Sequence, residues 1–311
     1  MLDQHVDAAG QPSHPNERAL VLAGGGAAGN AWALGLIAGL SDAGVDVTEA
    51  DLIVGTSSGS TVAAQITGGT RPAELYAAIL GEVPQRQGGD AGSDRGRAPR
   101  FSGPNYMEWS NAIIASAVDA SDMRRRMGAA ALEKDASDGF SQKRWRDIVA
   151  ARFPSHHWPQ QRVLVVAVDA HTGEPVVFDR HSGIDLVDAV AASTSNGFGP
   201  FGPYRVGEDR YISGGYRRSE NADLAAGYGR VLVLSPFGGR SRMPLEWGMD
   251  LATQVDELRA GGSTVETVFP DGRAGDVFDA NALDQSTRLP AARGGYEQGR
   301  ALAEHLAGFW H

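Results

Sequence analysis

Ser57 sits in the run GTSSG, Gly55 to Gly59, between the apolar segment Asp51 to Val54 and the helical-looking segment Thr61 to Ile66. A serine on a sharp strand-to-helix turn stands clear of the sheet, where its hydroxyl can attack a carbonyl. Glycine on both flanks lets the backbone bend without a Cβ clash. The chain carries 41 glycines, so G-x-S-x-G by itself reads equally as a glycine-lined turn with a capping serine. The strand before it and the helix after it favour a nucleophile.

A second candidate lies upstream. ALVLA, Ala19 to Ala23, reads as a buried strand that runs straight into GGGAAG, Gly24 to Gly29, and then into the apolar helix Asn30 to Leu40. A glycine-rich turn of this kind aims backbone N–H groups, and the positive end of a helix, at whatever lies above it. That suits a phosphate or a developing oxyanion. Gly24, Gly26 and Gly29 also satisfy G-x-G-x-x-G, so a dinucleotide site is the rival. That fingerprint wants an acid about twenty residues on, ending the second strand. Here the second strand begins with its acid, Asp51, and ends in Gly55 and Ser57.

A GGG loop on the first strand and a G-T-S-S-G elbow on the second together resemble the patatin-like phospholipase family. VLAGGGAAGNAWALGLIAGL is similar to that family's oxyanion strand, loop and helix, GTSSGSTVAAQ to its elbow, and ISGGYRRSENADLAAGYGRVLVLSP to its third block. The resemblance covers nearly the whole chain. It implies a Ser-Asp dyad that hydrolyses lipid or other acyl esters without a cofactor or metal. Ser57 would be the nucleophile, the N–H groups of Gly25, Gly26 and Ser58 would hold the oxyanion, and Gly24, Gly29, Gly55, Gly59, Gly214 and Gly215 would be motif glycines. The family's asparagine after the dyad aspartate falls on Asn221.

The aspartate itself is missing. In Tyr211-Ile212-Ser213-Gly214-Gly215, serine holds its position. A carboxylate accepts the nucleophile's proton at neutral pH, whereas a hydroxyl only hydrogen-bonds to it. Loss of a positioned base costs on the order of a hundred- to ten-thousand-fold in rate. The family's A-S-x-A-x-P-G turn is also rewritten, as AASTSNGFGPFGP from Ala191 to Pro203, with Asn196, Gly197, Phe198 and Phe201. Ala28 stands where many members carry arginine or lysine.

No histidine suits the role of substitute base: His156 and His157 lie in a polar turn and His305 near the end of a terminal helix. Glu208, Asp209, Glu220 and Asp223 flank the strand carrying Ser213 and read as turn and helix-start acids. Asp169, ending VLVVAVD, is better placed at a strand's carboxyl end. Three functions stay open: an acyl hydrolase impaired at its dyad, an enzyme using the oxyanion hole for acyl transfer, cyclisation or isomerisation, and a non-catalytic lipid or acyl-group binder.

The elements that must position these residues alternate. Strand-like runs at Ala19 to Ala23, Asp51 to Val54, Val163 to Val168, Val176 to Asp179, Arg230 to Ser235 and Thr264 to Phe269 are separated by helical segments. This predicts an α/β fold, a three-layer sandwich around a mostly parallel sheet, which the resemblance makes patatin-like. Leu245 to Arg259 and Tyr296 to Leu306 read as amphipathic covering helices. The expected organisation is a loose tail over 1–17 and one domain over 18–311. That domain would carry a mobile loop at 84–104, poor in apolar residues, and a helical insertion at 105–150 bearing Met107, Trp109, Ile113, Ile114, Met123, Met127, Leu132 and Trp145. The insertion reads equally as a lid over an acyl pocket and as flank packing. Arg124-Arg125-Arg126 reads as a solvated helix face or a contact for anionic head groups.

Across 311 residues, 28 Lys and Arg face 38 Asp and Glu, a net charge of −10, which disfavours nucleic acid and polybasic attraction to membranes. With no cysteine there are neither disulfides nor thiolate metal sites. Neither a signal-like segment nor a run of membrane-spanning length is present, so the expectation is a cytoplasmic protein with at most peripheral membrane contact.

Overall fold

A computed structural model describes residues 13–82, 103–135, 139–198, 202–279 and 281–311. The loop expected at 84–104 falls almost wholly outside these, as does most of the tail. The strands are β1 His14–Leu22, β2 Leu52–Thr56, β3 Arg162–Asp169, β4 Pro175–Phe178, β5 Tyr204–Val206, β6 Asp209–Ser213, β7 Tyr228–Leu234 and β8 Thr264–Val268. The helices are α1 Gly26–Asp42, α2 Ser58–Ile66, α3 Pro72–Leu80, α4 Gly103–Ser116, α5 Ala120–Glu133, α6 Gly139–Ala150, α7 Leu186–Thr194, α8 Leu251–Ala260 and α9 Arg288–Trp310.

All eight strands join one sheet, hydrogen-bonded in the order β5-β6-β3-β2-β1-β7-β8, with β4 also on β3. β3, β2, β1, β7 and β8 are parallel; β4 and β6 are antiparallel to β3. Parallel strands buried on both faces explain the nearly continuous apolar runs read in the sequence. Leu20, Leu22, Ile53, Val165, Leu232 and Leu234 face one core with α1, α2, α7 and α9, while Val21, Val54, Val166, Val231 and Val233 face the other with α8. Helices therefore cover both faces of a mixed, mostly parallel sheet.

β1 starts at His14, four residues inside the segment expected to be loose. His14 donates its N–H to the Gly227 carbonyl at 2.8 Å and pairs with Tyr228, with the register broken before Arg18. Such an irregular polar extension leaves no periodic signal. Helix α9 is longer than its amphipathic stretch, since Pro290 in the first turn and Gly294-Gly295 hide its beginning. Those glycines serve packing: Gly35 and Gly39 of α1 lie against the backbone of Ala292 and Tyr296, and Gly295 and Gly299 of α9 lie against that of Trp32 and Leu36. The stretch Leu245 to Arg259 breaks in two at Gly248, which has φ +61°, and only Leu251–Ala260 is α-helical.

The insertion divides between two cores. Met123 and Met127 of α5 and Ile114 of α4 are buried against Val168, Ile212 and Tyr216, beyond the end of β3 and β6. Trp145 of α6 joins the main core, its indole N–H donating to the Ala191 carbonyl of α7 at 3.3 Å. Among the described residues, no helix is long and apolar enough to cross a membrane.

Candidate active site

β3 has only two edges, and their allocation locates the site. Val165 to Val168 give one edge to β4. On the other, β2 pairs as far as Thr56 opposite Val166, and β6 takes over at Ser213 opposite Ala167. Thr56 and Ser213 thus lie end to end beside consecutive residues of β3, about 3.8 Å apart along that strand. At Ser57 the chain leaves the sheet for α2, vacating the position that β6 fills. Ser213 shares the face of its partner Ala167, toward α2 and α7.

Ser57 has φ 51° and ψ −123°. A non-glycine residue in this region holds roughly 1–3 kcal/mol of backbone strain, which persists only where neighbours enforce it. Here they do. The Ser57 N–H donates to Ser193 Oγ at 2.8 Å, and its carbonyl accepts from Ser60 N–H at 2.9 Å and Ser60 Oγ at 2.6 Å. A side chain on Gly59 would collide with the Leu22 carbonyl, so glycine alone lets α2 seat on the end of β1. Its partner Gly55 sits 2.6 Å, Cβ position to Cα, from Ser60. Ser57 Oγ has no hydrogen-bond partner among the described residues.

The glycine loop closes over this turn. A Cβ on Gly24 would lie 3.1 Å from Ser57 Cβ and 3.7 Å from Ser57 Oγ. Gly26 has φ +62°, and α1 begins there. The Gly25 N–H, expected to face an oxyanion, is already committed: it donates to Ser58 Oγ at 2.9 Å, because Ser58 projects back from the first turn of α2. Gly29 lies beside the same hydroxyl and Pro236. The N–H groups of Gly26 and Ser58 have no partner among the described residues. Neither α1 nor α2 has an acidic residue in its first turn, so the positive ends of both helices remain uncompensated beside Ser57.

The third block is tied to the elbow through Asn221. This fully buried residue is left-handed at φ 59°, and its Nδ2 donates to Thr56 Oγ1 at 3.0 Å and to the Gly214 carbonyl at 3.1 Å. Arg217, which the sequence reading did not single out, holds the Asn221 carbonyl oxygen at 2.9 Å and grips Asp223 with both nitrogens. Gly214 has no room for a side chain over the Val166 carbonyl. Ser213, 8% exposed, accepts the Gly215 N–H at 3.3 Å, and its own N–H donates to the Ser195 carbonyl at 2.7 Å.

The candidate substitute bases are engaged elsewhere. Asp169 Oδ1 accepts from the N–H groups of His171 and Thr172 in a turn, and Asp223 is paired with Arg217. Glu220, 2% exposed, lies on the opposite face of the sheet with Ser235, which donates to it at 2.8 Å, and with Ser219. Burial pushes its carboxyl above the usual carboxylate range, with the two serines pulling the other way. Among the histidines, His156 bonds the Ala150 carbonyl and His305 lies against Glu266. No histidine or carboxylate among the described residues hydrogen-bonds to Ser57.

The family model for patatin-like phospholipases matches residues 20–226. The chain belongs to this family. Its matched segment runs from within β1 through the GGG loop and elbow to just past Asn221, and so includes Ser57, Ser193, Ser213 and Asn221. Among solved structures it is similar to VipD from Legionella pneumophila, at 14% identity and a TM-score of 0.44, covering 94% of this chain and 67% of that one. It is also similar to the type III effector protein ExoU, at 16% identity and a TM-score of 0.37, covering 93% of this chain and 54% of that one. No curated protein matched the sequence.

Two parts of this patatin-like site left little trace in the sequence. Ser193 and Ser195 lie in a run of small polar residues where α7 ends, and only their place in the family's A-S-x-A-x-P-G block could have drawn attention to them. The rewritten turn after them is packed: a Cβ on Gly197 would lie 2.8 Å from that of Ala131 and 3.1 Å from Ile212 Cγ2, and Phe198 meets Trp109 and Tyr106 at ring-centre distances of 5.2 and 6.2 Å. The Arg124-Arg125-Arg126 run is spent locally, on the Gly173 carbonyl and on Asp122.

Proposed function

We propose that this protein is a patatin-like serine acyl hydrolase acting on a lipid or other acyl ester, impaired because Ser213 occupies the place of the dyad aspartate. The observation that carries the reading is the conformation of Ser57: a strained, positive-φ serine with both its backbone groups held and its hydroxyl unengaged, beneath a glycine loop. Ser57 Oγ would attack the ester carbonyl. The oxyanion would be held by the N–H groups of Gly26 and Ser58, with Gly25 serving to anchor Ser58. With Ser213 offering a hydroxyl rather than a base, Ser57 must give up its proton to solvent on attack, the leaving alkoxide must take one from water, and a second water must hydrolyse the acyl-enzyme.

One observation favours a second reading, acyl binding or non-hydrolytic carbonyl chemistry: the buried carboxyl of Glu220 lies across the sheet, and among the described residues no acidic group hydrogen-bonds to Ser57 in place of the aspartate. A fluorophosphonate probe separates the two. It should modify Ser57 in the intact protein, located by mass spectrometry, and not modify the Ser57→Ala variant. A wild-type protein that stays unlabelled under forcing conditions would remove Ser57 as a nucleophile and leave the binding reading.

A further inference from the structure

The two positions that define a patatin-like dyad are both tethered to one short segment. Ser193 Oγ, on the last turn of α7, accepts the Ser57 N–H at 2.8 Å, and the Ser195 carbonyl, two residues later, accepts the Ser213 N–H at 2.7 Å. Ser193 is wholly buried. Its neighbour Thr194 does what a hydroxyl residue in a helix ordinarily does, donating back to the Val190 carbonyl at 2.7 Å. Ser193 spends its oxygen across the interface with the elbow instead. Ser195 is pinned in turn through its hydroxyl, which donates to the Gly202 carbonyl.

From this we infer that Ser193 is a positioning residue, and that residues 193–195 act as a bracket setting the distance and orientation between Ser57 and Ser213. The physical need follows from the elbow. A residue at φ 51° relaxes toward ordinary backbone unless its peptide groups are held. The carbonyl side is held within α2 by Ser60. The amide side is held by Ser193, and any slackening there would swing Ser57 Oγ away from Gly24 and Gly26. Because the same segment takes the Ser213 N–H, the elbow and the end of β6 move together.

The inference rests on the elbow reading, and two measurements keep the two apart. In Ser193→Ala, the second-order rate of fluorophosphonate modification of Ser57 should fall by about tenfold or more, the effect of misplacing a reacting atom. Hydrogen exchange of the Ser57 amide gives a readout independent of nucleophilicity: Ser193→Ala should lose protection at that amide while β2 and the rest of α2 keep theirs. An unchanged labelling rate with an unchanged Ser57 amide overturns the proposal. So does uniform loss of protection across α2, which would mean that α7 only packs. Should the wild type not label at all, the nucleophile reading fails, and the amide measurement alone decides the bracket.

Discussion

Installing the family's carboxylate by Ser213→Asp should raise esterase activity by a hundred- to ten-thousand-fold. Ser213 ends β6 where β2 has just left the sheet, so it lies about one residue's length along β3 from Thr56, the residue before Ser57, and on the face toward α2 and α7. The exchange is sterically mild. Serine and aspartate cap equally well, and the Gly215 N–H now bound to Ser213 Oγ is available to a carboxylate oxygen, so the fold should lose less than about 1 kcal/mol. Burial of the new charge is opposed by that donor and by the uncompensated helix ends of α1 and α2. A base there would take the Ser57 proton during attack and return it to the leaving group, worth about 3–5 kcal/mol of barrier. Hydrolysis of p-nitrophenyl butyrate, followed from acid to neutral pH, is the assay. The gain should grow as the introduced carboxyl ionises, and Ser57→Ala in the same background should abolish it. A variant with wild-type circular dichroism and Tm that hydrolyses no faster than the parent refutes the geometry argued for the β2–β6 junction.

Ser57→Ala alone should change stability by less than about 0.5 kcal/mol in urea unfolding, since the hydroxyl has no described partner to lose. Gly26→Val should cost about 2 kcal/mol or more and suppress probe labelling at least tenfold, because its Cβ would meet the Ala282 carbonyl oxygen at 2.7 Å at a backbone φ of +62°; wild-type labelling in a folded variant counts against Gly26 as an oxyanion donor. Glu220→Gln should flatten the pH dependence of Tm. The raised carboxyl binds its proton more tightly folded than unfolded, so its contribution is full below the unfolded pKa and is lost as pH rises through the folded one. The variant should therefore gain on the wild type as pH rises above the carboxyl's unfolded pKa, and parallel curves would show that Glu220 carries no linked proton.

The elbow and glycine loop were legible because their geometry admits few residues. Gly59 must be bare for α2 to seat on β1, and a strand, a serine and a helix in that order leave a pattern in the letters. β6 was visible through the block that carries Ser213. What was not visible is how β3 shares an edge between β2 and β6, a matter of register between segments 150 residues apart, which no local pattern encodes. Ser193 was silent for a different reason: a small polar residue at the end of an apolar helix looks the same whether it bonds its own helix, as Thr194 does, or reaches across to another element. The bond from the Gly25 N–H to Ser58 was silent likewise, since only the placed side chain of Ser58 reveals it.

The backbone-to-backbone seam between α1 and α9 has a consequence for how the polypeptide is made. α1 is apolar around its whole circumference, yet the helix that covers one of its sides is made some 260 residues later. Until then the strand, loop and helix that carry the glycine N–H groups exist with a greasy flank uncovered, a state prone to aggregation. Small residues make the eventual closure tight rather than gradual, so the nucleophile's surroundings should reach their final form only once α9 has been made and packed.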